Sequence, residues 1–97
     1  MNEATAKYEL NVKIPEPLRR DKELVQALGY GCHLMLVGEA PREIPEGKAI
    51  STRIPLDEKS WMKWEQLQQK MPEIPKAMLA ATALALVQEI GARRARL

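Results

Sequence analysis

A chain of 97 residues with net charge +2 fits one small domain whose own core is limited, so burial against a second copy is expected. An apolar fraction of 45% against 29% charged residues excludes an intrinsically disordered chain. A single cysteine, Cys32, and a single histidine, His33, exclude an internal disulfide and a Cys/His zinc site, which fits a reducing compartment.

Residues 1 to 7 are polar and small and are predicted to fray. In YELNVKI, Tyr8, Leu10, Val12 and Ile14 alternate with Glu9, Asn11 and Lys13, the period of a half-buried strand, and Pro15 and Pro17 stop it. Leu18, Leu24, Val25 and Leu28 in LRRDKELVQAL predict a helix closed by Gly29 and Gly31. HLMLV, residues 33 to 37, is a short apolar run between Gly31 and Gly38 and predicts a buried strand. GEAPREIPEG, residues 38 to 47, reads as a linker. It divides the chain into an N-terminal extension or small accessory module, residues 1–47, and a second module, residues 48–97.

The charges follow that division. Residues 1–47 hold six basic and eight acidic side chains, and residues 48–97 hold nine and five. A basic second half hints at a nucleic-acid face, although a solvated basic surface has the same composition.

Beyond the linker, Ile50, Thr52 and Ile54 alternate with Ala49, Ser51 and Arg53 in a second strand that Pro55 ends. Asp57 is a helix N-cap, with Glu58 where the helix dipole favours negative charge. Trp61, Trp64, Leu67 and Met71 form the apolar stripe of a helix ending near Lys70. MPEIP breaks it, and Pro75 opens another helix, to Ile90, closed by Gly91. Ile74, Met78, Leu79, Leu84, Leu86, Val87 and Ile90 cover more than half of that helix, so it must be buried on several sides. The predicted class is α+β, mainly helical, with a strand-helix-strand extension.

A strand without a partner and a helix with surplus apolar surface are both satisfied if two copies pair strands antiparallel and interlock their helices. On AISTRIPLDEKSWMKWEQL followed by IPKAMLAATALALVQEI, residues 48–91 resemble the ribbon-helix-helix superfamily of DNA-binding proteins. The resemblance implies a homodimer whose core includes Ile50, Thr52, Ile54, Trp64, Leu79, Leu84 and Val87. It implies double-stranded DNA as the partner, with the paired strands in the major groove. Ala49, Ser51 and Arg53 would then face base edges: Arg suits guanine, Ser several bases, and Ala the thymine methyl. Lys48, Lys59 and Lys76 become phosphate contacts. Lys76 lies at the second helix's start, where Pro75 removes a backbone donor from the family's usual phosphate-binding turn. The implied role is a transcriptional repressor or a plasmid or phage control protein without cofactor or metal. Residues 1–47 are left for a possible protein partner.

Two other arrangements stay open. LNVKIP and ISTRIP match in kind at every position, which permits YELNVKIP to be a degenerate second ribbon in tandem, although two similar strand endings account for it more plainly. The rival function is a protein-interaction module, such as a phage- or plasmid-encoded inhibitor or adaptor that binds no DNA. In it YELNVKI, HLMLV and AISTRI form one sheet.

Among the remaining side chains, Arg19 and Arg20 read as solvated in preference to reaching a partner protein or flanking DNA, and Trp61 and Trp64 as packing residues. Arg93 and Arg94 suit a helix C-terminus or a phosphate-binding arm. Cys32 and His33, adjacent on a strand, would point to opposite faces, and no carboxylate pair or glycine-rich phosphate loop appears, so no enzyme is expected. MNEATAKYEL lacks a signal-peptide layout, and Ala77 to Val87 is too short to span a bilayer. A cytoplasmic location without a membrane partner is expected.

Overall fold

The computed structural model describes residues 8–95, and their side chains as far as Ala92. The first seven residues and the side chains of Arg93 and Arg94, expected to be frayed and basic respectively, lie outside the described set. Two strands, β1 (Tyr8–Pro15) and β2 (Ala49–Leu56), are accompanied by α1 (Glu16–Arg19), α2 (Lys22–Gln26), α3 (Leu28–Leu36), α4 (Glu58–Lys70) and α5 (Lys76–Ala95). The described chain is thus α+β and mainly helical.

β1 and β2 form a two-stranded antiparallel sheet, paired along their whole lengths from Tyr8 opposite Leu56 to Pro15 opposite Ala49. The strand partner expected from a second copy is supplied by the same chain, as a tandem arrangement requires. The pairing also relates the two echoing segments. Val12 faces Thr52, and the Leu10–Ile54 pair on one side is balanced by Ile14–Ile50 on the other. A local two-fold axis therefore passes between Val12 and Thr52. Leu10, Val12, Ile14, Thr52, Ile54 and Leu56 are buried on the inward face, and Ile50 is half-buried. Thr52 Oγ1 donates to the Ile50 carbonyl at 2.9 Å, which satisfies the one polar group on that face. Pro15 and Pro55 lie inside the strand ends, not beyond them. Each strand of such a ribbon keeps one unpaired edge, where a missing N–H removes no ladder bond.

The N-terminal half departs from its predicted elements. LRRDKELVQAL holds the end of α1 and all of α2, because the Asp21 carboxylate accepts the Leu24 N–H at 3.1 Å and starts a new helix. HLMLV is not a strand: His33 to Leu36 are helical and Val37 is their C-cap, and Gly29 and Gly31 lie inside α3. Their small size serves packing. A Cβ on Gly29 would overlap Ser60 of α4, and one on Gly31 would overlap the Ala83 carbonyl of α5. Gly38, with φ 100°, is the glycine that ends α3. The Gly38 N–H reaches the Met35 carbonyl at 3.1 Å, and the Glu39 N–H reaches Leu34 at 3.0 Å, the paired bonds of a Schellman cap. The linker that follows is pinned to α5, since Glu89 Oε2 accepts the N–H groups of Arg42 at 2.7 Å and Glu43 at 3.2 Å.

The C-terminal half follows its sequence more closely. Asp57 caps α4 by accepting the Ser60 N–H at 2.8 Å, a bond that holds its carboxyl below the ordinary aspartate value. α5 continues through Gly91 instead of stopping there. Its Leu79, Ala80, Ala81, Ala83, Leu84, Ala85 and Leu86 are buried, with α3 and β1 as the main elements packed against it. Of the side chains expected in a dimer core, Thr52, Ile54, Trp64, Leu79 and Leu84 are buried, and Ile50 and Val87 are half-buried. They are covered by elements of their own chain. Leu18, Leu28 and Cys32 from residues 1–47 share one apolar cluster with Trp64, Leu67 and Leu84 from residues 48–97.

Candidate nucleic-acid interface

With the aliphatic residues of both strands turned inward, their alternate residues stand on the opposite face. These are Glu9, Asn11 and Lys13 from β1, and Ala49, Ser51 and Arg53 from β2, all exposed. Asn11 faces Arg53 across the ribbon, and Lys13 faces Ser51. Every outward side chain between Glu9 and Lys13, and between Ser51 and Arg53, carries a hydrogen-bonding group. The three outward residues expected on β2 are on this face. The three from β1 were not foreseen, although the LNVKIP and ISTRIP echo places Asn11 with Ser51 and Lys13 with Arg53.

Arg53 Nε lies 3.5 Å from Glu9 Oε2, with the guanidinium side chain 74% exposed. An ion pair this open contributes little stability. The contact is made through Nε, and most of the Arg53 side chain stays open to solvent, where a guanidinium offers a planar fork of donors.

Beside β2 the ribbon borders a groove of about 300 Å³ lined by Arg19, Arg20, Lys22, Val25, Thr52 and Arg53, among others. α1 and α2 bring three cations to a fourth on the strand, and no carboxylate among the described residues lines the groove. Glu16 lies 3.9 Å from Arg20, and the Arg20 side chain remains 72% exposed. Arg19 and Arg20, read from sequence as solvated, thus share a groove with Lys22 and Arg53. On the other strand Tyr8 stacks on Trp61, with ring centroids 5.0 Å apart and planes within 8°. Trp64 is buried, so both tryptophans pack, as expected.

The three lysines expected at phosphates are exposed but scattered. Lys48 precedes β2, and its carbonyl accepts the Glu16 N–H at 2.9 Å. Lys59 lines a shallow hollow with His33 and Lys63, whose Nζ lies 3.4 Å from His33 Nδ1. Lys76 begins α5, in a turn whose neighbours Pro75, Ala77 and Met78 share a groove with Lys13 and Pro15.

Cys32 is fully buried in α3, and burial pushes its thiol up to about 12 from an ordinary value of 9.0. The thiolate nucleophile is therefore suppressed at neutral pH. Native protein at pH 8 is expected to resist a thiol reagent and to react fully once denaturant is added; equal rates in both states would show an accessible thiol. Because the folded chain holds this proton more tightly, the contribution to stability is complete below about pH 9 and is lost as pH rises toward 12.

Among the described residues no helix is long and apolar enough to cross a membrane, and no three His, Cys, Asp or Glu side chains group as metal ligands. Comparison with protein-family models, curated proteins and solved structures finds no match.

Proposed function

We propose that this chain is a double-stranded DNA-binding protein that reads the major groove with a ribbon made from both of its own strands. One observation carries the reading: the inward ribbon face is aliphatic and buried, whereas Asn11, Lys13, Ser51 and Arg53 form a row of exposed hydrogen-bonding side chains. A two-stranded ribbon fits the major groove, about 12 Å wide. Arg53 and Lys13 suit the guanine O6 and N7 acceptors, Asn11 suits adenine N6 and N7, and Ser51 accepts several bases. Arg19, Arg20 and Lys22 flank this row and supply sequence-independent attraction to phosphates. This is the ribbon-helix-helix mode of recognition in a single chain, and it suits a repressor or a plasmid or phage control protein.

Arg53→Ala removes the best-placed fork and leaves the core untouched, because Arg53 is exposed. The substitution is expected to weaken binding to a preferred duplex by about 1–3 kcal/mol, roughly 5- to 150-fold, at unchanged thermal stability. Fluorescence anisotropy at one fixed salt concentration reads this, with the duplex taken from selection on a randomised library. Equal affinity for wild type and variant removes the ribbon from the reading.

A further inference from the structure

The two-fold axis through the ribbon is only approximate, and its departure from symmetry falls on the outward row. A homodimer presents identical side chains on both sides of its axis, and its operators mirror that symmetry. Here the axis between Val12 and Thr52 relates the cross-strand pair Asn11–Arg53 to the pair Ser51–Lys13. These pairs are chemically unequal. Asn and Arg each make bidentate contacts, to adenine and guanine, which discriminate strongly between bases. Ser accepts or donates to several bases, and the lysine ammonium is a mobile point charge without a fixed fork.

The flanks are unequal in the same sense. Arg19, Arg20 and Lys22 stand in one groove with Arg53, whereas Lys13 borders a groove formed with Ile44, Pro45, Pro75, Ala77 and Met78, together with Glu46. Glu9 also lies 3.5 Å from Arg53 Nε, while Lys13 has no ion-pair partner among the described residues. Flanking cations and bidentate geometry therefore coincide on the Asn11–Arg53 side.

We infer that, if the ribbon reads DNA as proposed, its target is non-palindromic: a stringent half-site read by Asn11 and Arg53 adjoins a permissive half-site read by Ser51 and Lys13. The stringent half carries adenine and guanine in the major groove, and the cationic groove clamps the phosphates beside it. A single chain then binds in one orientation, which a symmetric dimer on a palindrome does not.

The test begins with selection from a randomised duplex library using the full chain. Wild type is expected to enrich a consensus without inversion symmetry. Single base-pair changes in one half should weaken binding at least about tenfold, and those in the other half less than about threefold. The double variant Lys13→Arg, Ser51→Asn alters two exposed positions and puts an Asn–Arg pair on both sides of the axis. It is expected to prefer an inverted repeat of the stringent half over the wild-type consensus by about tenfold or more, with an unchanged melting temperature. A palindromic wild-type consensus, equal penalties in both halves, or no altered preference in the double variant overturns the asymmetry while leaving DNA binding intact. Enrichment of no sequence at all removes the DNA-binding reading itself, and the asymmetry with it.

Discussion

Leu84→Asp is expected to abolish cooperative folding of the isolated chain. Leu84 is fully buried on α5, among the residues of the single apolar cluster. Truncating a buried leucine costs about 2–5 kcal/mol through lost transfer energy and the cavity left behind. The new carboxylate adds a desolvation penalty of several kcal/mol, because position 84 is fully buried within the apolar cluster. Chains of this size are stabilised by about 5–15 kcal/mol in total, so the combined loss consumes most or all of the margin. Met78 supplies the control on the same helix, since it is 56% exposed and Met78→Asp should change stability by about 0.5 kcal/mol or less. Urea denaturation followed by circular dichroism reads both variants. Because β1 and β2 pair within one chain, the wild-type midpoint is expected to be independent of protein concentration. A Leu84→Asp protein with a native-like transition would show that Leu84 is not packed in the core.

The C-terminal half was legible because each of its signals is local. Asp57 caps the helix whose stripe contains Trp64 and Leu67, and Ile50, Thr52 and Ile54 alternate without interruption. The partner of β2 was read three ways, as a second copy, as YELNVKIP in tandem, or as a sheet shared with YELNVKI and HLMLV, and the local signals did not choose among them. Strand pairing joins residues distant in sequence, and the aliphatic alternation of YELNVKI fits any sheet equally well. The echo with ISTRIP was the one visible trace, and it shows that two strands are alike without showing that they pair. Half of the candidate interface was lost with it, since Asn11 and Lys13 gain meaning only opposite Arg53 and Ser51. The basic groove is a second such case. Arg19, Arg20 and Lys22 are ordinary surface cations until α1 and α2 fold back against β2. HLMLV failed for another reason. A short apolar run does not distinguish strand from helix, and the glycines before it suggested a break. Glycine serves both as a helix stop and as a flat contact surface, and only the neighbouring helix decides between them.

That distinction gives the second large expected effect, in which three Gly→Ala changes in helices differ in sign. Alanine is intrinsically better than glycine in a helix interior by about 0.5–1 kcal/mol. At Gly91 a Cβ meets nothing within 4 Å, so Gly91→Ala should be stabilising by about that amount. At Gly31 the same Cβ would overlap the Ala83 carbonyl oxygen and come within 2.9 Å of its carbonyl carbon, both backbone atoms of α5. Relief requires moving α3 away from α5 and opening the core around Cys32, so Gly31→Ala should cost about 1–3 kcal/mol or more despite the gain in propensity. At Gly29 the obstruction is chiefly the Ser60 side chain, whose Cβ lies 2.6 Å from the added atom, whereas the Ser60 Cα lies 3.2 Å away. Gly29→Ala should therefore be destabilising alone and partly rescued by Ser60→Gly, whereas Ala83→Gly should not rescue Gly31→Ala, because the blocking carbonyl remains. Denaturation midpoints of the singles and doubles form two mutant cycles, with a favourable coupling energy expected only in the first. Rescue of Gly31→Ala by Ala83→Gly, or no penalty at Gly31, would show that α3 does not rest on the α5 backbone.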